Sequence, residues 1–250
     1  MILQSFFEKY PKVAVAFSGG VDSSYLLYAA GKYAQSVKAY YVKSEFQPNF
    51  EMEDAVKLAG NIGADMKIIN LNVLTCEDVV ANPADRCYFC KKHIFSAIMA
   101  AAGTDGYEVI LDGTNASDDA DDRPGMKALS ELKVLSPLRM CGLTKPMIRK
   151  LSKVAGLFTW DKPAYACLAT RIQSGYRIES YMLDRTEKSE KFLENLGFRN
   201  HRVRTVDNGA RIQIRKSDAD IFAKNKDEIL RVLGSFYDFV LLDTEYRDEL

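Results

Sequence analysis

The segment Ser18-Gly19-Gly20-Val21-Asp22-Ser23-Ser24 follows the apolar run Val13-Ala14-Val15-Ala16-Phe17 and precedes a stretch with helical spacing. Two glycines let the backbone approach a ligand closely. A helix N-terminus supplies unpaired N–H groups and partial positive charge, and Ser18, Ser23 and Ser24 add hydroxyl donors. That is the composition of an anion site, and phosphate is the natural guest. The lysine of G-x-x-x-x-G-K-[ST] is missing, and the spacing is not G-x-G-x-x-G. Asp22 would begin the helix and could also organise Mg²⁺ beside phosphates. A second chemical centre is suggested by Cys87 and Cys90, a C-x-x-C pair, with Cys167 far downstream. The pair could be half of a zinc site, although His93 is the one nearby candidate for a further ligand. Arg202-Val203-Arg204 alternates along an expected strand, so both guanidiniums face one side and could grip a phosphate. Glu190 and Asp220 form a weaker candidate for a metal.

These residues need elements to hold them. Val13 to Phe17 reads as a buried parallel strand, and the helix after the glycines carries Leu26, Leu27, Ala29 and Ala30 on its apolar side. A strand at Val37 to Val42, a helix at Glu51 to Gly63 and a strand at Met66 to Leu71 follow. Lys91 to Ala102 is expected to be helical, and Tyr107 to Leu111 is expected as a fourth strand ending in Asp112-Gly113-Thr114-Asn115. Val134 to Leu138 is a candidate fifth. Thr144 is an N-cap candidate for a helix to Ala155, which Gly156 would end. Strands and helices in alternation predict an α/β fold, a parallel sheet with helices on both faces.

Periodicity lapses between Leu157 and Tyr176, and the domain junction is placed there: a larger domain over 1–172 and a small α+β domain over 173–250. The latter reads helix (Glu179 to Leu196), strand (Arg199 to Val206), turn at Asp207-Asn208-Gly209, strand (Ala210 to Arg215), helix (Ser217 to Leu233) and strand (Phe236 to Leu242).

The glycine-serine loop resembles the S-G-G-x-D-S loop of the PP-loop ATP pyrophosphatases, which implies an adenine nucleotide α hydrolase-like fold, ATP as substrate and release of pyrophosphate. Further stretches resemble the LarE family: Arg86-Cys87-Tyr88-Phe89-Cys90-Lys91, Leu111 to Asp119, Asp122-Arg123-Pro124-Gly125, Gly142-Leu143-Thr144-Lys145, and Trp160 to Ile172 with Ala166-Cys167-Leu168-Ala169-Thr170-Arg171. That family comprises ATP-dependent sulfur transferases of nickel-pincer nucleotide cofactor synthesis. The resemblance implies adenylylation of a carboxylate on a pyridinium biscarboxylate mononucleotide, displacement of AMP by sulfur and release of a thiocarboxylate. It further implies that Ser44 and Gly113 join Ser18, Gly19, Gly20, Asp22, Ser23 and Ser24 in binding ATP and Mg²⁺. Lys91 and Arg123 would neutralise charge on phosphate oxygens. Arg202 and Arg204 would hold the substrate phosphate. Cys167 matches the family's sulfur-donating cysteine, which some members sacrifice. Other members use three cysteines, matching Cys87, Cys90 and Cys167, to hold a [4Fe-4S] cluster that can carry an extra sulfide. With all three thiols present, the expectation is a cluster recharged by sulfide or another sulfur donor, the thiols converging at the carboxyl edge of the sheet. Cys76 and Cys141 lie outside any motif and read as structural.

Composition limits the alternatives. Thirty-four Lys and Arg balance 34 Asp and Glu, and residues 175–250 carry 14 basic against 15 acidic side chains. No surplus positive field attracts nucleic acid, which weighs against the rival reading, a tRNA-thiolating PP-loop enzyme. A non-catalytic nucleotide sensor has no need of the three cysteines. The first five residues lack a signal peptide's basic start, no apolar run is long enough to cross a membrane, and five cysteines are an odd number for a disulfide framework. A cytoplasmic protein is expected, as is a homo-oligomer.

Overall fold

Alternate residues of strand β1 (Lys12–Ala16) are buried on opposite faces of a sheet. Val13 and Val15 join a core with Phe6, Phe7, Leu26 and Ile148, whereas Ala14 joins another with Phe95, Ile98 and Leu129. Only a central strand of a sheet covered on both sides needs apolar side chains on both faces. The computed structural model describes residues 2–118, 124–163 and 165–248.

Two compact units are present. One comprises Met1–Val73 and Asp85–Tyr165, the other Leu74–Ala84 and Ala166–Leu250. In the first, helix α1 (Leu3–Lys9) precedes β1, and α2 (Val21–Tyr33) leads to β2 (Ser36–Lys43). Next come α3 (Asn49–Ile62) and β3 (Met66–Asn70); α4 (Glu77–Val80) belongs to the second unit. The first unit resumes with α5 (Arg86–Thr104), β4 (Ile110–Leu111), α6 (Pro124–Glu131), α7 (Pro137–Met140) and α8 (Lys145–Val154). Its four strands are parallel in the order β3-β2-β1-β4, with Val13 opposite Val37 and Ala14 opposite Ile110. The α/β architecture is the one expected.

Local differences have physical causes. Helix α1 was not foreseen, because seven residues are too few to display a period; Phe6 and Phe7 are nevertheless fully buried. The fourth strand pairs only at Ile110 and Leu111. Of the candidate fifth strand, one parallel bridge forms, Leu111 to Leu135. Pro137, with no N–H to donate to a ladder, opens α7 instead. Helix α5 begins five residues earlier than Lys91, so the C-x-x-C pair is helical rather than in the loop before the helix.

The second unit contains α9 (Ser180–Asn195), β5 (Arg202–Val206), β6 (Gly209–Gln213), α10 (Ala219–Leu233) and β7 (Val240–Leu242). β5 and β6 form an antiparallel hairpin, and β7 lies parallel to β6. Leu193, Phe198, Val203, Ile212, Ile229, Leu233 and Tyr237 make its core. The expected strand from Arg199 starts at Arg202, because Asn200 takes a left-handed φ of 50°. Residues 74–84 join this unit through contacts that no local pattern announces. Asn82 Nδ2 donates to the carbonyls of Gln173 and Tyr176 at 2.8 and 3.0 Å, and Ile178 N–H donates to Val80 O at 2.8 Å.

Candidate active site

β1 ends at Ala16 and α2 starts at Val21, so Ser18 to Gly20 form the turn at the carboxyl edge of the sheet, where α/β sites are built. Gly19 has φ of 73°, and a Cβ there would meet Ala55 of α3 at 3.2 Å. Both the conformation and the space therefore call for glycine. Ser18 Oγ and Ser23 Oγ are 3.1 Å apart, and Ser18 N–H donates to Ser23 Oγ at 3.3 Å. Ser24 is fully buried and donates to Gly20 O at 2.7 Å, which commits its hydroxyl to holding the turn.

Asp22 stands in the first turn of α2. Lys145 Nζ reaches its Oδ2 at 2.5 Å, while Oδ1 is buried and has no hydrogen-bond partner among the described residues. Burial raises the Asp22 carboxyl above its ordinary pKa, and Lys145 pulls it back down. A buried, unpaired carboxylate oxygen beside a phosphate-sized turn is the hard donor that Mg²⁺ takes, so the residues fit the ion. Nothing in the Gly142-Leu143-Thr144-Lys145 stretch announces this role of Lys145 except its place at the first position of a helix after Thr144.

The strand-end segment Asp112 to Asp118 docks both pieces. Asp112 is buried and accepts from the hydroxyls of Thr114 and Ser136, the latter at 2.5 Å. A Cβ on Gly113 would lie 2.9 Å from the Ser23 backbone nitrogen, so this loop presses against the start of α2. Ser117 Oγ accepts the Lys145 N–H at 3.0 Å, capping α8 and aiming Lys145 at Asp22. The Thr144 side chain makes no such cap.

Other expected residues are placed as follows. Ser44 follows β2 and is buried, its hydroxyl donating to Gln47 Oε1 at 2.6 Å. The Lys91 side chain packs over Gly125 of α6, where a Cβ would come within 2.9 Å of it. Arg123 lies outside the described residues. Cys87 and Cys90 sit three apart in the first turns of α5, the former exposed and the latter half-buried. Burial pushes the Cys141 thiol up, in keeping with a structural role.

In the second unit, Cys167 precedes a tight helical turn at Leu168–Arg171. Thr170 N–H and Oγ1 both donate to Cys167 O, at 3.0 and 2.8 Å. Arg171 is buried, its Nε and Nη2 paired with the two Glu190 oxygens at 2.8 and 3.1 Å, and its Nη1 bound to Ala166 O at 2.9 Å. Glu190 also accepts the Val203 N–H at 2.9 Å. The suggestion that Glu190 and Asp220 hold a metal is therefore set aside: Glu190 neutralises Arg171, and Asp220 is exposed at the start of α10. Arg204 Nη1 donates to Thr170 O at 2.8 Å and its Nε to Gln213 at 2.6 Å, while Arg202 Nη1 donates to His201 O at 2.6 Å. Burial and the charges of Arg171, Arg247 and Arg211 lower the Arg204 pKa, the mark of a positive cluster suited to an anion. Within each unit, no three His, Cys, Asp or Glu side chains among the described residues are grouped to hold a metal ion.

The sequence model of the asparagine synthase family matches residues 8–116, which span the nucleotide loop and the Asp112 segment. A pyridinium-3,5-bisthiocarboxylic acid mononucleotide synthase from Lactiplantibacillus plantarum is 32% identical over 237 residues, covering 93% of this chain and 85% of that protein. The chain belongs to the LarE family. As a LarE-family protein it is an enzyme, an ATP-dependent sulfurtransferase on the PP-loop fold. An uncharacterised Synechocystis protein is 34% identical over 250 residues, covering 97% of this chain and 92% of its own. The tRNA-specific 2-thiouridylase MnmA of Thermotoga maritima is 25% identical over 194 residues, 60% of this chain and 54% of that enzyme. No helix among the described residues is long and apolar enough to cross a membrane.

Proposed function

We propose that this LarE-family enzyme activates a carboxylate of pyridinium-3,5-biscarboxylic acid mononucleotide with ATP and replaces its activated oxygen by sulfur, a step of nickel-pincer nucleotide cofactor synthesis. The observation carrying the reading is the meeting of Asp22, Lys145 and Gly113 at the Ser18 to Ser24 turn, in a chain 32% identical to the synthase. The turn and the α2 N-terminus cradle the pyrophosphate portion of ATP. Asp22 would hold Mg²⁺, which would draw charge from the phosphates, and Lys145 and Lys91 offset charge as the carboxylate oxygen attacks the α-phosphorus. The α–β phosphoanhydride bond breaks, pyrophosphate leaves, and the acyl adenylate keeps AMP as its leaving group. Sulfur then attacks the acyl carbon and AMP departs with the C–O bond electrons. ATP, Mg²⁺ and a carboxylate substrate should yield AMP and pyrophosphate; ADP and phosphate would overturn the reading.

For the sulfur, Cys87, Cys90 and Cys167 are proposed to hold a [4Fe-4S] cluster. The fit rests on the spacing of Cys87 and Cys90, accessible thiols nearly one helical turn apart on α5. Bound by only three thiolates, such a group would supply a sulfide nucleophile. The larger unit would bind ATP and the smaller one the mononucleotide, whose phosphate we assign to Arg202 and Arg204. Replacing Arg204 by Ala should weaken substrate binding by about 1–3 kcal/mol, the worth of a charged hydrogen bond, and leave ATP affinity unchanged. Titration calorimetry with each ligand separates the two; an equal loss for ATP would move the pair out of the substrate site. The relation to MnmA is more distant and partial, and the balanced charge gives no reason to prefer RNA as acceptor.

A further inference from the structure

Arginines in the second unit repeat one arrangement. The Nε and Nη2 edge of Arg171 meets both Glu190 oxygens, at 2.8 and 3.1 Å. The same edge of Arg215 meets both Asp218 oxygens, at 3.0 and 2.7 Å. That of Arg247 meets Asn200 O and Oδ1, at 2.6 and 3.1 Å. In each case two oxygens fill the two parallel N–H donors. Arg185 of α9 departs from the pattern. It is only 8% exposed, yet its Nε and Nη2 are buried with no hydrogen-bond partner among the described residues. Its guanidinium lies over the rings of Tyr237, at 4.5 Å, and Tyr181, at 5.2 Å. Ring faces steady the cation but satisfy neither in-plane donor. Tyr237 is buried in the core, whereas Tyr181 is 48% exposed, so one flank of the guanidinium lies at the surface.

We propose that Arg185 anchors an oxyanion site, its Nε and Nη2 donating to two oxygens of one phosphate or carboxylate group, with the tyrosine rings flanking the ion pair. The aromatic flanks exclude water, which strengthens a bidentate charged pair and selects a group able to present two oxygens in one plane. Its partners differ from those of Arg202 and Arg204, which donate to the carbonyls of His201 and Thr170, so the two sets of donors are taken as separate sites. It does not depend on the identity of the sulfur acceptor.

The test is a titration of the full-length protein followed by the Arg185 Nε–H resonance, assigned through its backbone connections. Inorganic phosphate and acetate are added separately, with sodium chloride as the ionic-strength control. Saturable movement of this resonance with phosphate, acetate or both, absent with chloride, is the expected result, and the anion that saturates at lower concentration identifies the preferred group. Repeating the titration in the Arg202→Ala/Arg204→Ala protein should leave the midpoint within about twofold, because independent sites do not share binding energy. A resonance that neither anion moves, or that follows chloride equally, would overturn the proposal. Loss of the response in the double variant would overturn the claim that the sites are separate.

Discussion

Asp22→Ala should abolish pyrophosphate release, with a loss of at least about a hundredfold in kcat, the scale on which removing a single charge-stabilising group acts. Two effects combine. The variant lacks the buried Oδ1 offered to Mg²⁺, and it leaves Lys145 Nζ without the carboxylate that aims it. Asp22→Asn separates these effects, since it keeps the side-chain shape and a carbonyl oxygen but removes the charge. It should lie between wild type and Ala, with the greater defect at low Mg²⁺. A pyrophosphate release assay over a Mg²⁺ series, with circular dichroism to verify folding, reads both variants. Activity of Asp22→Ala within tenfold of wild type would show that phosphate transfer does not run through this turn.

Cys167→Ala should produce the opposite split. On the proposed mechanism adenylylation uses the first unit's loop and α8 and the substrate-holding arginines but no thiol, so the variant should still release pyrophosphate and accumulate the acyl adenylate, while thiocarboxylate formation falls below detection. With wild-type protein prepared without oxygen and supplied with sulfide, several products per chain are expected while the Cys167 side chain keeps its mass. Breaking the Cβ–Sγ bond by elimination, with loss of the α-proton and formation of a Cα–Cβ double bond, would instead leave the residue lighter by the elements of hydrogen sulfide and limit each chain to one sulfur transferred. Mass spectrometry of the Cys167 peptide after reaction distinguishes the two outcomes. Self-consumption would refute delivery through Cys87, Cys90 and Cys167 acting together.

The sheet was legible because its central strand buries both faces, so the Val13 to Phe17 run stands out from any half-exposed strand. The loop was legible because glycine and hydroxyl residues do not otherwise cluster between a strand and a helix. What sequence reading missed depends on contacts distant along the chain. Nothing near Lys145 indicates that Ser117 caps its helix, or that Asp22, 123 positions earlier, receives its ammonium. Similarly, Glu190 resembled a metal ligand because its partner Arg171 lies in an aperiodic stretch 19 residues away. The apolar pattern also could not assign residues 74–84, whose ties to the second unit include hydrogen bonds from Asn82 and to Val80 and an ion pair of Glu77 with Arg177.

The guanidinium of Arg204 holds the Thr170 carbonyl, and Thr170 in turn donates twice to the carbonyl of Cys167. On the proposed assignment of the substrate phosphate to Arg204, the ligand and the Cys167 turn would share the donors of one cation. Thermodynamic linkage then requires the stiffness of the Cys167 turn to depend on whether the mononucleotide is bound, by as much as the turn's conformation alters the affinity for it. On that assignment the thiol would report occupancy, and its reactivity toward a small electrophile should change on adding substrate alone, before any ATP is present.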